Sequence, residues 1–118
     1  NYDTGCIHVE PDGTWRIIGP TEPGPQRYNP GGEMTMWIST DEGVNWRRER
    51  QITRGSEYNH TYARRPVNAH PGFYALWGDG HGRRPSESRI YFCDREGNAF
   101  RLPHAMDVEE TSPKLISR

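Results

Sequence analysis

Short stretches of alternating apolar and polar residues, separated by turn-forming residues, run along most of the chain. Residues 6–10 and 14–19 flank Pro11, Asp12 and Gly13, and an Asp-Gly pair between two such stretches is a strong signal for a β-hairpin. Residues 34–38 and 46–53 form a second pair of extended stretches. We therefore predict a meander of four antiparallel strands over residues 1–54.

The stretch between these two hairpins, residues 20–32, contains four Pro and three Gly. Because Pro lacks a backbone N–H and Gly weakens regular structure, this composition predicts a loop that excludes both helix and regular strand pairing.

A second set of extended stretches follows over residues 55–104, at 62–67, 73–78, 89–93 and 98–102, with a polar loop at 80–86. Residues 103–118 show no clear periodicity, so the end of the chain (105–118) is interpreted as a tail or linker, or as the start of a further strand. The pattern predicts an all-β protein. A small closed β-sandwich built from the same eight strands is the alternative architecture.

The turn between residues 38 and 47 carries the order Ser-x-Asp-x-Gly-x-x-Trp, formed by Ser39, Asp41, Gly43 and Trp46. Asp closes turns by bonding nearby backbone, Gly supplies positive φ, and Trp returns a large apolar anchor to the next strand. Asp94, Gly97 and Phe100 form a degenerate copy, with one extra residue between Asp and Gly and Phe in place of Trp. The copy indicates that the four-stranded unit repeats.

This order of residues is the Asp-box, and the sequence resembles the BNR/Asp-box β-propellers, a group that includes sialidases. A longer set of stretches is similar to the C-terminal portion of BNR-repeat proteins of the type that includes bacterial polysaccharide lyases acting on ulvan and related uronic-acid polymers: 31–34, 39–46, 58–71, 73–77 and 86–92. The resemblance covers roughly residues 28–104. It implies two four-stranded antiparallel blades of a sialidase-like, seven-bladed propeller in a secreted or periplasmic protein.

Two blades leave a propeller ring incomplete, since about four to eight blades are needed to protect the edge strands. The sequence also begins at Asn1 without Met, which favours a piece of a longer protein. We therefore expect the remaining blades, or symmetry-related copies of the chain, to be its partners.

The composition limits which partners and cofactors can be expected. The hydrophobic content is 31% and 15 basic residues oppose 16 acidic ones, so the formal charge of -1 gives no general attraction to nucleic acid or membranes, and we expect neither as a partner. Five scattered His and two Cys lack the spacing of a zinc site, so no metal or other cofactor is predicted. Cys6 and Cys93 are open to two interpretations, a disulfide or two buried free thiols.

The densest polar cluster lies at residues 58–70. In a propeller the innermost strand of each blade lines the central channel, where this stretch would face a ligand. Arg neutralises a carboxylate bidentately, and for a uronic acid this acidifies the proton on the adjacent carbon, which Tyr or His can remove in a β-elimination. The predicted catalytic residues are His60, Tyr62, Arg64 and Arg65. The predicted substrate-binding residues are Tyr58, Asn59, Trp77 and His81.

Structural alternatives exist for several of these residues. Adjacent strand residues point to opposite faces, so one of Arg64 and Arg65 is expected to be structural. His60 can bond a backbone carbonyl and Tyr62 can pack as a strand residue. Asn59 begins an Asn-His-Thr glycosylation pattern, which is interpreted as a chance match because short motifs recur easily.

The leading functional hypothesis is a fragment of a carbohydrate-active propeller, a polysaccharide lyase that cleaves an anionic, uronic-acid-containing polysaccharide. The isolated chain is expected to have little or no activity. A sialidase-like glycoside hydrolase is the second hypothesis. The third is a non-catalytic propeller that binds a glycan or protein, with Trp37, Trp77 and the Arg cluster as its contact surface.

Overall fold

The computed structural model describes residues 6–27, 31–103 and 109–116, and these form two antiparallel sheets with no helix. The prediction of an all-β protein is therefore confirmed. The first sheet has the order β1-β2-β3-β4, with strands Ile7–Val9, Trp15–Glu22, Glu33–Ser39 and Arg47–Gln51. The second has the order β5-β6-β7-β8-β9, with strands Asn59–His60, Ala75–Gly80, Ile90–Cys93, Ala99–Arg101 and Lys114–Leu115.

The first sheet is the predicted meander, but its second strand is longer than expected. β2 continues through Pro20 to Glu22, which pairs with Glu33, so the prediction of a loop from residue 20 is wrong for these three residues. The register shifts between Gly19 and Glu22, and this bulge removes the need for the N–H that Pro20 lacks. Residues 28–30 of the predicted loop lie outside the described part of the chain.

The second sheet departs from the prediction at its first strand. The expected strand at 62–67 is wrong, because β5 is Asn59–His60 and further along only Arg64 bridges Leu76. Between these contacts both the backbone N–H and the hydroxyl of Thr61 bond the carbonyl of Gly78, at 2.8 Å each. The hydroxyl thus competes with regular pairing at this edge.

The end of the chain adds a fifth strand to the second sheet. β9 pairs with β8, with Leu115 opposite Phe100 and Lys114 opposite Arg101. The second sheet therefore has five strands where four were predicted, and neither sheet closes on itself within the described ranges. Residues 104–108, which precede this strand, are not described. The described part of the chain contains no helix long and apolar enough to cross a membrane.

Both sheets contribute to a single hydrophobic core. Most of its buried members come from β2 and β3 on one side and from β6, β7 and β8 on the other, and they include Ile18, Met34, Met36, Ala75, Trp77, Tyr91 and Ala99. Cys6 and Cys93 are buried free thiols in this core. Burial raises the pKa of the Cys6 thiol to about 12 and that of Cys93 further still, so both stay protonated and unreactive at neutral pH.

The Asp-box turn is held by side-chain hydrogen bonds. The Ser39 hydroxyl donates to Asp41 Oδ1 at 2.8 Å and accepts the Gly43 N–H at 2.9 Å, where Gly43 has a φ of 85°. Asp41 accepts both the backbone N–H and the side-chain amide of Asn45, at 2.9 and 2.8 Å. The Trp46 indole N–H donates to the Gly43 carbonyl at 2.9 Å.

The same clasp occurs at the second turn, between Asp94 and Asn98. Asp94 accepts the backbone N–H of Asn98 at 2.8 Å and its side-chain amide at 2.9 Å, across the same four-residue separation as Asp41 and Asn45. Arg50 of β4 donates to the Asn98 side-chain oxygen at 2.9 Å. The second turn is therefore tied to the first sheet.

Candidate functional site

The residues predicted to face a ligand are divided between the interior and the surface. Asn59, His60 and Trp77 are buried, with exposed fractions of 2%, 1% and 4%. Arg64 and Arg65 are both exposed, and Tyr62 is half-buried. The structure thus does not present this sequence cluster as one ligand-facing surface, because the strand β5 ends at His60 and buries its two residues, whereas the irregular segment after it exposes Arg64 and Arg65.

Three hydrogen bonds connect Asn59 to Gln26. Its backbone N–H donates to the Gln26 side-chain oxygen at 2.8 Å, its side-chain oxygen accepts the Gln26 N–H at 3.0 Å, and its amide donates to the Gln26 carbonyl at 3.0 Å. These bonds account for its burial and leave the amide inaccessible for glycosylation in the folded chain.

His60 lies in a chain of hydrogen bonds whose proton positions follow from chemistry. The Trp77 indole N–H can only donate, and it lies 2.9 Å from His60 Nδ1, so Nδ1 is the acceptor of a neutral ring. Nε2 therefore carries the proton and donates to the Ser56 hydroxyl at 2.8 Å. Ser56 in turn donates to Glu33 Oε1 at 2.7 Å.

The Glu33 carboxylate is saturated by donors. Thr53 Oγ1 donates to it at 2.6 Å and the Ser56 backbone N–H at 3.0 Å, in addition to the Ser56 hydroxyl. Burial alone would raise the pKa of this carboxyl, but the hydrogen bonds from Ser56 and Thr53 outweigh it and hold the pKa below the ordinary value. Glu33 is therefore ionised at neutral pH.

This arrangement constrains what Ser56 and His60 can do chemically. A serine nucleophile needs an unprotonated histidine nitrogen to accept its proton. Here Nε2 is the donor toward Ser56, so the pair has the wrong tautomer for nucleophilic catalysis. The proton transfer predicted for His60 would likewise require the bond to Trp77 to break.

The remaining predicted substrate-binding residues, Tyr58 and His81, contact arginine and serine residues of the chain. The guanidinium of Arg89 lies over the Tyr58 ring, with its central carbon Cζ 5.9 Å from the ring centroid. His81 is half-buried in the loop after β6, where its Nδ1 accepts the Arg83 N–H at 3.1 Å and its own N–H donates to Ser86 at 2.8 Å.

A cleft of about 250 Å³ lies beside His60, between strands β7 and β8 and the linking segment, residues 52–58, which connects the two sheets. Three arginines surround it: Arg54 on the linking segment, Arg89 just before β7, and Arg101 on β8. The other lining residues are Thr53, Gly55, Ser56, Glu57, His60, Tyr91 and Ile116.

Asp79 holds Arg89 and Tyr91, which form the wall of the cleft at β7. This buried carboxylate accepts the Tyr91 hydroxyl at 2.8 Å and the Arg89 backbone N–H at 2.8 Å, and it pairs with the Arg89 guanidinium at 3.4 Å. Burial and then the bond to Asp79 raise the pKa of Tyr91 to about 12. Tyr91 is therefore a neutral donor at physiological pH and unsuited to act as a base.

The electrostatics of the cleft favour an anionic ligand. Of the nearby carboxylates, Asp79 and Glu33 are buried and saturated, and only Glu57 is exposed. Arg89 Nε is buried without a hydrogen-bond partner among the described residues. The Arg89 guanidinium already pairs with Asp79 and with Glu57, at 3.4 Å each. An anionic ligand is therefore expected to bind chiefly to Arg54 and Arg101, because the planar geometry of guanidinium matches that of a carboxylate.

The sequence prediction missed Arg54, Arg89, Arg101 and Tyr91. A signal for two of them was present, since strands joined by the turn at residues 94–97 place Tyr91 opposite Arg101, as observed. Arg54 could not be found this way, because its place in the cleft depends on how the linking segment crosses between sheets.

No group of three or more His, Cys, Asp or Glu side chains capable of holding a metal ion is found in residues 6–27, 31–103 and 109–116. No protein-family model, no curated protein and no solved structure matches the chain.

Proposed function

We propose that this chain is part of a carbohydrate-active β-propeller, a polysaccharide lyase that acts on a uronic-acid-containing polysaccharide, and that its arginine-lined cleft binds a uronate carboxylate. The observation that carries the proposal is the convergence of Arg54, Arg89 and Arg101 on one cleft. Such guanidiniums bind a planar carboxylate bidentately and compensate its charge.

Carboxylate neutralisation is the part of β-elimination that these residues would supply. Withdrawing charge from the carboxylate acidifies the proton on the adjacent carbon. A base removes that proton, the freed electron pair forms a carbon–carbon double bond, and the glycosidic oxygen leaves and takes up a proton. The catalytic roles of His60, Tyr62, Arg64 and Arg65 remain predictions, and for His60 the role requires release from Trp77.

The propeller architecture is supported by two features of the sheets. Each contains a hairpin closed by the same Asp-Asn clasp. The second sheet also carries an in-register row of apolar residues on the side opposite its buried core residues: Leu76, Phe92, Phe100 and Leu115. Leu115 in this row is 54% exposed, which fits a face covered by a further blade.

A binding propeller without catalysis is the second candidate, and the hydrogen bonding of His60 favours it. Both ring nitrogens are engaged within the protein, by Trp77 and Ser56, so the ring is not available to a substrate in this arrangement. A sialidase-like hydrolase is the third candidate.

Product analysis separates these candidates. The full-length protein that contains this chain is incubated with ulvan and other uronate polymers, and the ultraviolet absorbance of an unsaturated product is followed. A lyase generates this absorbance, whereas a hydrolase releases saturated reducing ends without it. Binding without either product would indicate the non-catalytic propeller, and absence of the absorbance on every uronate polymer would contradict the lyase proposal.

A further inference from the structure

One chain of hydrogen bonds links the two sheets beside the cleft. It begins at Glu33 on β3, passes through Ser56 on the linking segment and His60 on β5, and ends at Trp77 on β6. Each hydroxyl, imidazole and indole proton in it has one assigned direction. Met34, next to Glu33, extends the network by donating its backbone N–H to Thr53 Oγ1 at 2.9 Å.

We propose that these hydrogen bonds form an acid-sensitive latch. Protonation of His60 separates its ring from Trp77 and loosens residues 53–57, which form one wall of the cleft. The latch is closed at neutral pH. Loss of a bound uronate on acidification follows only if the proposed function holds, whereas the opening of the latch does not depend on it.

The Trp77 indole N–H can only donate a hydrogen bond, so it needs an acceptor at His60 Nδ1. A protonated imidazole has N–H groups at both nitrogens, so Nδ1 would face the indole N–H donor to donor across 2.9 Å. Rotating the ring by 180° gives no relief, because it places the Cδ2–H group opposite the indole N–H, and a carbon cannot accept that hydrogen bond. The protonated ring must therefore move away from Trp77.

The charged groups around His60 set the direction of this movement. Glu33 on β3 lies 4.0 Å from Nε2, and Asp79 on β6 also favours the protonated ring. Arg89, before β7, opposes it, and the Tyr91 ring packs edge-on with centroids 4.6 Å apart. Burial outweighs the two carboxylates and lowers the pKa of His60, so the neutral ring is the form present at pH 7.

Movement toward Glu33 alters the cleft directly. Ser56 and His60 both line the cleft, and Ser56 is the link between the ring and the carboxylate. A protonated ring attracted to Glu33 competes with Ser56 for the same oxygen. The backbone at Ser56 then loses part of the support that positions its neighbours Arg54 and Glu57.

Nuclear magnetic resonance tests the latch on the 118-residue chain without any ligand. The Trp77 indole N–H and the His60 ring nitrogens are followed from about pH 7.5 to pH 4, and both are expected to shift together with a midpoint below about 6.5, the ordinary value for histidine. Trp77→Phe removes the opposing donor and keeps an aromatic ring. We expect it to raise the His60 midpoint by about one pH unit.

Two further variants identify the group responsible. His60→Gln keeps a donor toward Ser56 but cannot titrate, so the indole shift should disappear. His8→Phe removes the other buried histidine of the described chain and should leave the indole shift unchanged. Any of three results would overturn the proposal. The first is an indole signal that does not move with pH, the second is an indole signal that still moves in His60→Gln, and the third is a His60 midpoint that is unchanged in Trp77→Phe. If Trp77→Phe does not fold, the His60→Gln result decides alone.

Discussion

Replacement of Glu33 by alanine is expected to lower the free energy of unfolding by about 3 kcal/mol. The carboxylate accepts hydrogen bonds from the Thr53 hydroxyl and from the backbone N–H and hydroxyl of Ser56. Alanine leaves these donors buried or half-buried without an acceptor, and it removes the link between β3 and the segment leading to the second sheet. Urea denaturation measured at neutral pH gives the change.

Glu49 provides the matched control for this prediction. It lies on the exposed β4 strand and pairs with Arg47 at 2.9 Å, with 38% of its side chain exposed. Glu49→Ala should change the stability by less than about 0.5 kcal/mol. Glu33→Gln, which keeps an acceptor of similar shape, should fall between the two. Equal losses in Glu33→Ala and Glu49→Ala would contradict the role assigned to Glu33.

Acidification from pH 7 to pH 5 is expected to cost about 2 kcal/mol of stability through His8 alone. Burial, reinforced by the charge of Arg65, lowers the pKa of His8 to about 4. The unfolded chain binds a proton at this residue near the ordinary pKa of about 6.5, while the folded chain does not. Stability is therefore lost progressively as the pH falls from about 6.5 toward the folded value.

His8→Phe tests this prediction because it preserves the packing. The His8 ring stacks on Tyr74 with centroids 3.6 Å apart and an interplanar angle of 13°, which a phenyl ring can reproduce. The variant should lose less stability between pH 7 and pH 5 than the original chain in denaturant titrations at each pH. Equal pH dependence in the two proteins would show that His8 is not responsible.

The local signals in the sequence were sufficient for much of the first sheet. Asp12 and Gly13 marked the first hairpin, where the Thr14 N–H bonds Asp12 and Gly13 has a φ of 90°. Pro20 was misleading, because the bulge that accommodates it depends on pairing between β2 and β3. Turn chemistry is local and predictable, whereas an interruption in a ladder depends on the partner strand.

The second sheet was harder to predict because its edge strands are short and weakly patterned. β5 and β9 have two residues each. Lys114 and Leu115 show no periodicity that would distinguish a strand from a tail. Lys114 and Leu115 form a strand because they pair with β8, and this long-range contact leaves no pattern in the sequence around them.

The composition of the candidate site was also hard to predict, because neighbours in the sequence are separated in the fold. His60 and Arg64 are close in sequence, yet one is buried in the interior and the other is exposed. The cleft instead combines Arg54, Arg89 and Arg101 from separate segments. Only the pairing of Tyr91 with Arg101 could be read from the predicted hairpin, since its turn fixes their register.

The central claim, that the arginine-lined cleft binds a uronate carboxylate, is tested most directly by calorimetric titration with a glucuronate-containing oligosaccharide and with its carboxyl-reduced counterpart. We predict at least about tenfold tighter binding of the charged sugar, a preference that Arg54→Ala abolishes and that Arg47→Ala, on exposed β4 outside the cleft, preserves. Equal affinity of the chain for the two sugars, or an unchanged preference in Arg54→Ala, would contradict it.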